Sequence, residues 1–245
     1  MITCFLFMKW RIGCSGFYYR EWKDVFYPKG LAQKDWFKYY CAHFNTIEIN
    51  STFYKMPTQK SFDKWYGESP DDFLFTIKAP RLITHYKQLH DCETLINDFY
   101  KAIQLGLKEK LGCVLFQFPP KFSYTEERLS LILNNLNQEL KNIVEFRHIS
   151  WFEEHIYQKL AKNNIIFSGQ SYPSVLPDSV IQHAETVYYR FHGKPVLYKS
   201  EYDINVIEHF KQQVGDEAKE VFVYFNNTWG VGALHNAKQL QYLVK

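Results

Sequence analysis

Short runs rich in β-branched and aromatic residues alternate with longer stretches of helical period along almost the whole chain. Eight such runs stand out, at 9–14, 45–50, 73–79, 112–118, 142–147, 164–168, 186–192 and 220–226. Several intervals carry helix signals. Ser123-x-x-Glu126 and Ser150-x-x-Glu153 read as capping boxes, the first followed by Leu129, Ile132, Leu133 and Leu136 at helical spacing. Ala233, Leu234, Ala237, Leu240 and Leu243 repeat that spacing near the C-terminus. Strands alternating with crossover helices predict a parallel sheet, and eight of them predict one closed (β/α)8 barrel of TIM type. The sixth crossover is irregular: residues 169–185 carry Pro173 and Pro177 without a helical period, so a loop or a single turn is expected there. An open doubly wound sheet is the alternative fold, disfavoured because no Gly-x-Gly-x-x-Gly follows any strand.

Alternate residues of a strand face opposite sides, so each run separates into two sets. Ile47, Ile49, Phe75, Ile77, Phe116, Phe118, Val144, Phe146, Tyr189, Phe191, Val223 and Phe225 form an apolar set, as a surface covered by helices requires. The other set holds Glu48, Asn50, Thr76, Lys78, Gln117, Glu145, Arg147, Arg190, His192, Tyr224 and Asn226, toward the C-terminal ends of the strands. In a barrel this second face points inward, and its C-terminal layer is where the active sites of that fold lie. Charges gathered in one partly buried cavity must pair with each other, with water or with a ligand.

The composition bounds the rest. The chain has 245 residues, a usual barrel length, and its 21 Phe, 18 Tyr and 6 Trp fall largely in the helix-facing set, so the aromatic content speaks mainly of packing. Residues 1–7 read as an upstream extension, with 8–245 as a single barrel domain. The apolar opening Met1 to Phe7 is too short for a membrane span and a poor signal peptide, so a cytoplasmic protein without membrane contact is expected. The pattern sets no oligomeric state. Five Cys, odd in number and without a Cys-x-x-Cys pair, argue against a disulfide framework or zinc ribbon, and Cys14 reads as a space-filling residue. A net charge of +3 implies no polyanion partner by itself, although it conceals a cation-bearing cavity.

Within that cavity Glu48 and Glu145 form the candidate acid/base pair, since enclosure raises one carboxyl pKa while a neighbouring Arg keeps the other ionised. His192 is placed to shuttle a proton. Lys78, Arg147 and Arg190, taken as fixed cations, suit an anionic group or a developing oxyanion. Asn50, Gln117, Asn226 and Trp151 complete the expected substrate contacts. Trp22, Tyr54, Trp151 and Trp229 lie in loops after strand ends, where aromatic rings stack on sugars or merely pack. His85, His148 and His192 beside the two glutamates raise a metal site, which is disfavoured because the face carries at least as many cations as carboxylates; no metal and no cofactor is expected. His148, on the opposite parity to Arg147, reads as a cap for the turn at Ser150. The expected function is acid/base chemistry, isomerisation or hydrolysis, on a small anionic or sugar-like, phosphorylated molecule. A non-catalytic module for phosphate or nucleic acid is the alternative, with Lys78-Ala-Pro-Arg81, Tyr86 and Lys87 in its favour and the lack of a long basic run against it. A degenerate barrel kept as a scaffold is a third reading.

Nine ordered segments carry a family resemblance: Ile12-Gly-Cys-Ser-Gly-Phe-Tyr-Tyr19, Phe26-Tyr-Pro28, Phe44-Asn-Thr-Ile-Glu-Ile-Asn-Ser-Thr-Phe-Tyr54, Lys78-Ala-Pro-Arg81, Ile83-Thr-His85, Leu115-Phe-Gln-Phe-Pro-Pro120, Val144-Glu-Phe-Arg-His-Ile-Ser-Trp-Phe152, Tyr189-Arg-Phe-His-Gly193 and Tyr224-Phe-Asn-Asn227. From about Met8 to the C-terminus the chain resembles the domain-of-unknown-function 72, or YecE-like, family. The resemblance implies a TIM-barrel fold and a loose kinship with sugar-isomerase-like proteins, and it supplies no substrate. Two positions depart from the family pattern. Ser168-Gly-Gln-Ser171 stands where members often carry an Asp after the sixth strand, and Phe17 stands where a Trp is usual.

Overall fold

The computed structural model describes residues 8–245, so the expected extension at 1–7 lies outside the described residues. The strands are β1 Lys9–Cys14, β2 Thr46–Ile49, β3 Leu74–Lys78, β4 Leu111–Gln117, β5 Asn142–Glu145, β6 Ile165–Phe167, β7 Gly169–Ser171, β8 Thr186–Phe191 and β9 Glu220–Phe225. Between them run α1 Trp36–Cys41, α2 Gln59–Glu68, α3 Glu93–Leu107, α4 Glu126–Asn135, α5 Glu154–Ala161 and α6 Ile204–Gln213, and α7 Gly232–Leu243 closes the chain. All strand pairs are parallel, in two sheets ordered β2-β3-β4-β5-β6 and β1-β9-β8-β7.

The expected single closed ladder is thus drawn by the hydrogen bonds as two sheets in a mixed α/β fold, with two seams. At one seam the run predicted at 164–168 continues to Ser171 and changes partner partway. Ser168 still donates its N–H to Val144 O of β5 at 2.9 Å, whereas Gly169–Ser171 pairs with β8. Gly169 is required there, because a Cβ would stand 2.6 Å from the Tyr189 ring. After Ser171 the sixth crossover has no helix, as its prolines predicted, although its first residues are strand rather than loop.

At the other seam β1 and β2 share a single bridge, Ser15 with Glu48, and side chains replace the missing ladder. Asn45 accepts from Ile12 N–H (3.0 Å) and donates to Trp10 O (2.8 Å), while the Tyr40 hydroxyl accepts from Cys14 N–H (2.7 Å) and donates to Thr46 O (3.1 Å). Buried backbone groups need such partners wherever a ladder stops. The seam is tight: a Cβ on Gly13 would lie 2.2 Å from Thr46 O and 2.9 Å from the Tyr40 hydroxyl. Gly13→Ala is therefore expected to destabilise the protein by about 1–3 kcal/mol, read as a lower urea midpoint at unchanged slope.

The parity sets separate in three dimensions. Ile47, Phe75, Phe116, Val144, Tyr189 and Val223 join one large apolar cluster with helix residues such as Phe99, Ile132, Ile156, Ile207 and Leu240. A second, small cluster of Cys113, Leu115, Ile143, Ile166, Tyr188, Phe222 and Tyr224 draws on strands of both sheets. The Tyr224 hydroxyl sits between Thr46 Oγ1 (2.6 Å) and Thr76 Oγ1 (2.8 Å), which satisfies its burial.

Helix starts differ in detail from the predicted boxes. The α4 cap is Thr125, whose hydroxyl accepts from Arg128 N–H, while Ser123 Oγ and O take the Arg128 side chain. Before α5, Ser150 Oγ accepts from Tyr124 N–H, and His148 Nδ1 accepts from Ser150 N–H to close a short 3-10 turn, Ile149–Trp151. The four described cysteines, Cys14, Cys41, Cys92 and Cys113, are buried and unpaired. No helix among the described residues is long and apolar enough to cross a membrane.

Candidate functional site

Parallel strands point their C-terminal ends the same way, and here those ends collect the polar set. Glu48 lies on β2, Lys78 ends β3, Gln117 ends β4, Glu145 ends β5 and Arg190 lies on β8. Asn50, Arg147, His192 and Asn226 follow β2, β5, β8 and β9. The site these residues build has two storeys.

The lower storey is a closed ionic network. Arg190 donates from Nη2 to Glu48 Oε1 at 2.6 Å and from Nη1 to Glu145 Oε2 at 2.9 Å, so one guanidinium joins both carboxylates. Glu48 also accepts from Ser15 Oγ (2.7 Å) and from the Tyr188 hydroxyl (2.6 Å). Arg147 Nη2 stands 2.6 Å from Glu145 Oε1, a close ion contact without hydrogen-bond alignment. His192 Nε2 lies 3.0 Å from Arg147 Nη2 and 3.2 Å from Glu145 Oε2, and its Nδ1 is 3.0 Å from the Asn226 amide. Glu48, Glu145 and His192 have no solvent exposure and Arg190 has 1%. Burial by itself would raise the Glu145 carboxyl, but Arg147 and Arg190 outweigh it and hold the group well below the usual carboxylate range. Arg190 shows the matching balance: burial opposes its charge, and Glu145 and Glu48 restore it and raise its pKa. Burial, then Arg147, pushes His192 well below the ordinary imidazole value, so it is neutral.

The upper storey is an open pocket of about 570 Å³, within the range of small-molecule sites. Asn50, Lys78, Gln117, Arg147 and Asn226 line it. Lys78 Nζ donates to Gln117 Oε1 at 2.8 Å and lies 4.2 Å from the centroid of the Phe53 ring. Burial, then Arg190, lowers Lys78 to about 7, with Arg147 adding to the shift and Glu145 and Glu48 opposing it. Lys78 is therefore not the fixed cation expected from its residue type. Arg147 Cζ lies over the Tyr172 ring, 3.9 Å from its centroid, and among the described residues neither the buried Arg147 Nη1 nor the buried Asn50 Oδ1 has a protein partner.

The loop aromatics divide. Trp151 is withdrawn from the predicted substrate contacts: it is fully buried, stacked on Phe146 at 3.9 Å, and donates Nε1–H to Phe122 O at 2.7 Å. Trp22 is buried in the same way and donates to Gly230 O. Tyr54 and Trp229 are exposed at the pocket rim, 71% and 65%. Sequence reasoning missed Tyr19, His85 as a wall residue, Tyr172 and Tyr198, all in loops without periodicity. Tyr188, by contrast, shares the parity of Arg190 and was legible as an inward residue. His85 sits in a π-turn, Leu82–Tyr86, edge-on to Phe53; burial, then Lys78 and Arg147, lowers it to about 4, so it is neutral. Where an Asp was expected in relatives, Ser168 Oγ bonds to Gly169 O, and Gln170 Nε2 donates to Phe146 O. Among the described residues no three His, Cys, Asp or Glu side chains gather at metal-binding distance.

These features define a parallel α/β protein with a polar pocket at the strand C-termini, floored by a buried ion network. The chain matches the family model described as "Protein of unknown function DUF72" over residues 11–245 and belongs to that family. It is 27% identical to UPF0759 protein YunF of Bacillus subtilis over 251 aligned residues, 89% of each chain. With UPF0759 protein YecE of Escherichia coli it shares 32% over 114 residues, 46% of this chain and 42% of the relative. A DUF72 family protein from Thermotoga maritima superposes with TM-score 0.86 at 29% identity, covering 96% of this chain and 99% of that one. The fold also matches a DUF72 family protein from Enterococcus faecalis, with TM-score 0.78 at 23% identity over 96% and 95%.

Proposed function

We propose that the protein is an enzyme performing acid/base chemistry, isomerisation or hydrolysis, on a small anionic, sugar-like molecule bound in the 570 Å³ pocket. In this reading the two sheets are the halves of one (β/α)8 barrel and the pocket is its mouth. The observation that carries the proposal is Lys78, a buried amine lining the pocket whose pKa of about 7 lets it take and return a proton near neutral pH. Proton transfer thereby passes from the glutamates to Lys78. Glu48 and Glu145 lie beneath the pocket, engaged by Arg190, and act as the electrostatic floor that holds the cations in place. Arg147, which lines the pocket, takes the anionic group, Asn50 and Asn226 take hydroxyls, and His192 positions Arg147 and Asn226.

Thermal unfolding with inorganic phosphate and a panel of sugar phosphates tests the pocket. A ligand at about 100 times its Kd stabilises by about 2.7 kcal/mol. Arg147→Met is expected to weaken that ligand by about tenfold to a hundredfold, the worth of a charge-assisted hydrogen bond. Equal responses of the two proteins, or response to neither phosphate nor sugar phosphate, would overturn the reading. A preference for oligonucleotides with steep salt dependence would assign the pocket to nucleic acid instead.

A further inference from the structure

Two lysines of this protein are deeply buried, and they are held differently. Lys110 Nζ is surrounded by acceptors, donating to Tyr66 O (2.9 Å), Ser69 O (2.8 Å) and Ser69 Oγ (3.1 Å), one for each of three N–H groups. Among the described residues Lys78 Nζ has a single acceptor, the neutral Gln117 amide, and it rests on the Phe53 ring. Among the described residues no carboxylate is ion-paired with it, because the two below are engaged by Arg190 and Arg147. The Gln117 amide is itself oriented, since its Nε2 donates to Phe118 O at 2.9 Å and leaves Oε1 facing the lysine. An amine that gives one N–H to a fixed oxygen, buried and near two guanidinium groups whose charge opposes its protonation, keeps a directed lone pair. That is the environment in which lysine becomes a nucleophile toward carbonyl carbon. The pocket above it is also lined by Arg147, a guanidinium for a negative group on the same molecule.

We propose that Lys78 captures small anionic aldehydes or ketones as an imine, which names the substrate class of the pocket and rests on the reading of that pocket as the active site. The Nζ lone pair forms a bond to the carbonyl carbon, and the C=O π electrons move to oxygen, which takes a proton. The resulting carbinolamine loses its hydroxyl as water, breaking the C–O bond, so amine plus carbonyl gives imine plus water. One proton from solvent in the open pocket makes the iminium, and that proton returns to solvent when the iminium is hydrolysed. Water then reverses the addition and frees the lysine. No oxidant or reductant enters the cycle.

The test is reductive trapping of the intact protein near pH 7. Glyoxylate, pyruvate and dihydroxyacetone phosphate are each added with cyanoborohydride, and the adduct is located by intact mass and peptide mapping. The expected result is a single adduct on Lys78 with at least one probe, slowed by inorganic phosphate and lost in Lys78→Met and Lys78→Arg. Folding of both variants is checked by circular dichroism. Labelling spread over surface lysines at the same rate in wild type and Lys78→Met overturns the imine. Phosphate stabilisation that depends on Arg147, without any Lys78 adduct, also overturns the imine but leaves the pocket reading standing. If adduct and phosphate stabilisation are both absent, the two fall together.

Discussion

Arg190→Met is expected to lower the unfolding free energy by about 3–5 kcal/mol, the cost of removing one partner from a buried ionic network. The size follows from what is left behind. Glu48 would keep only the Ser15 and Tyr188 hydroxyls, with no cation, whereas Glu145 would keep Arg147 and His192. The pH dependence should weaken as well. In the wild type the Glu145 pKa is depressed, so its contribution is present above the unfolded carboxylate value of about 4.3 and is lost as pH falls through the folded value. In the variant Glu145 keeps Arg147 but loses Arg190, so its carboxyl is depressed less and that acid-side dependence should shrink. Arg190→Lys should recover only part of the loss, because the three N–H groups of an ammonium share one nitrogen on a shorter side chain, whereas the guanidinium spans Glu48 and Glu145 from two nitrogens. Urea unfolding between about pH 4 and 8 reads all three proteins. A variant within about 0.5 kcal/mol of wild type at neutral pH would show that the network does not hold the strand ends.

Lys78→Met should move activity and stability in opposite directions. On an identified substrate, loss of the proton-transferring amine is expected to lower kcat by about 10²–10⁴-fold, and the wild-type rate should climb through about pH 7 as the lysine deprotonates. Stability runs the other way. The folded pKa of Lys78 is lowered, so the unfolded chain binds the proton more tightly and wild-type stability rises with pH between about 7 and about 10.5. Below that window the buried lysine is a cost, and Met, similar in shape and apolar, should gain on the order of 1–4 kcal/mol, with the gain shrinking as pH climbs to the upper limit. A variant that loses stability along with activity would mark Lys78 as a packing residue and remove it from the chemistry. The groups facing Lys78 that set this balance are Arg190, Arg147, Glu145, Glu48 and His85.

How much of this was legible beforehand follows from the range over which each property is decided. Strand positions and their two faces are local, because a period of two carries the information along a few residues. Accordingly β1 begins and ends where the pattern predicted, and Glu48, Lys78, Glu145, Arg147, Arg190 and His192 converge at one end of the strands. The ladder was less legible. The β1–β2 seam depends on Asn45 and Tyr40 reaching backbone groups of β1 up to 35 residues away, and the sixth strand changes partner at Gly169. Trp151 was placed at the mouth because it follows a strand end, and only packing shows it stacked beneath the loops.

The sequence by itself therefore determined a parallel α/β chain and the set of polar residues on its inward face. The tertiary structure decided depth and proton state. Arg190 and Glu48 are 142 residues apart, and their contact, with Glu145 on the same guanidinium, places the carboxylates under the floor. That placement leaves Lys78 buried above them with no ion pair among the described residues, and burial, then Arg190, turns a residue whose ordinary pKa makes it a fixed cation into one that titrates near neutrality. Periodicity along a chain sets which way a side chain points. Solvation and neighbouring charge set what it does there, and both come from residues distant in sequence.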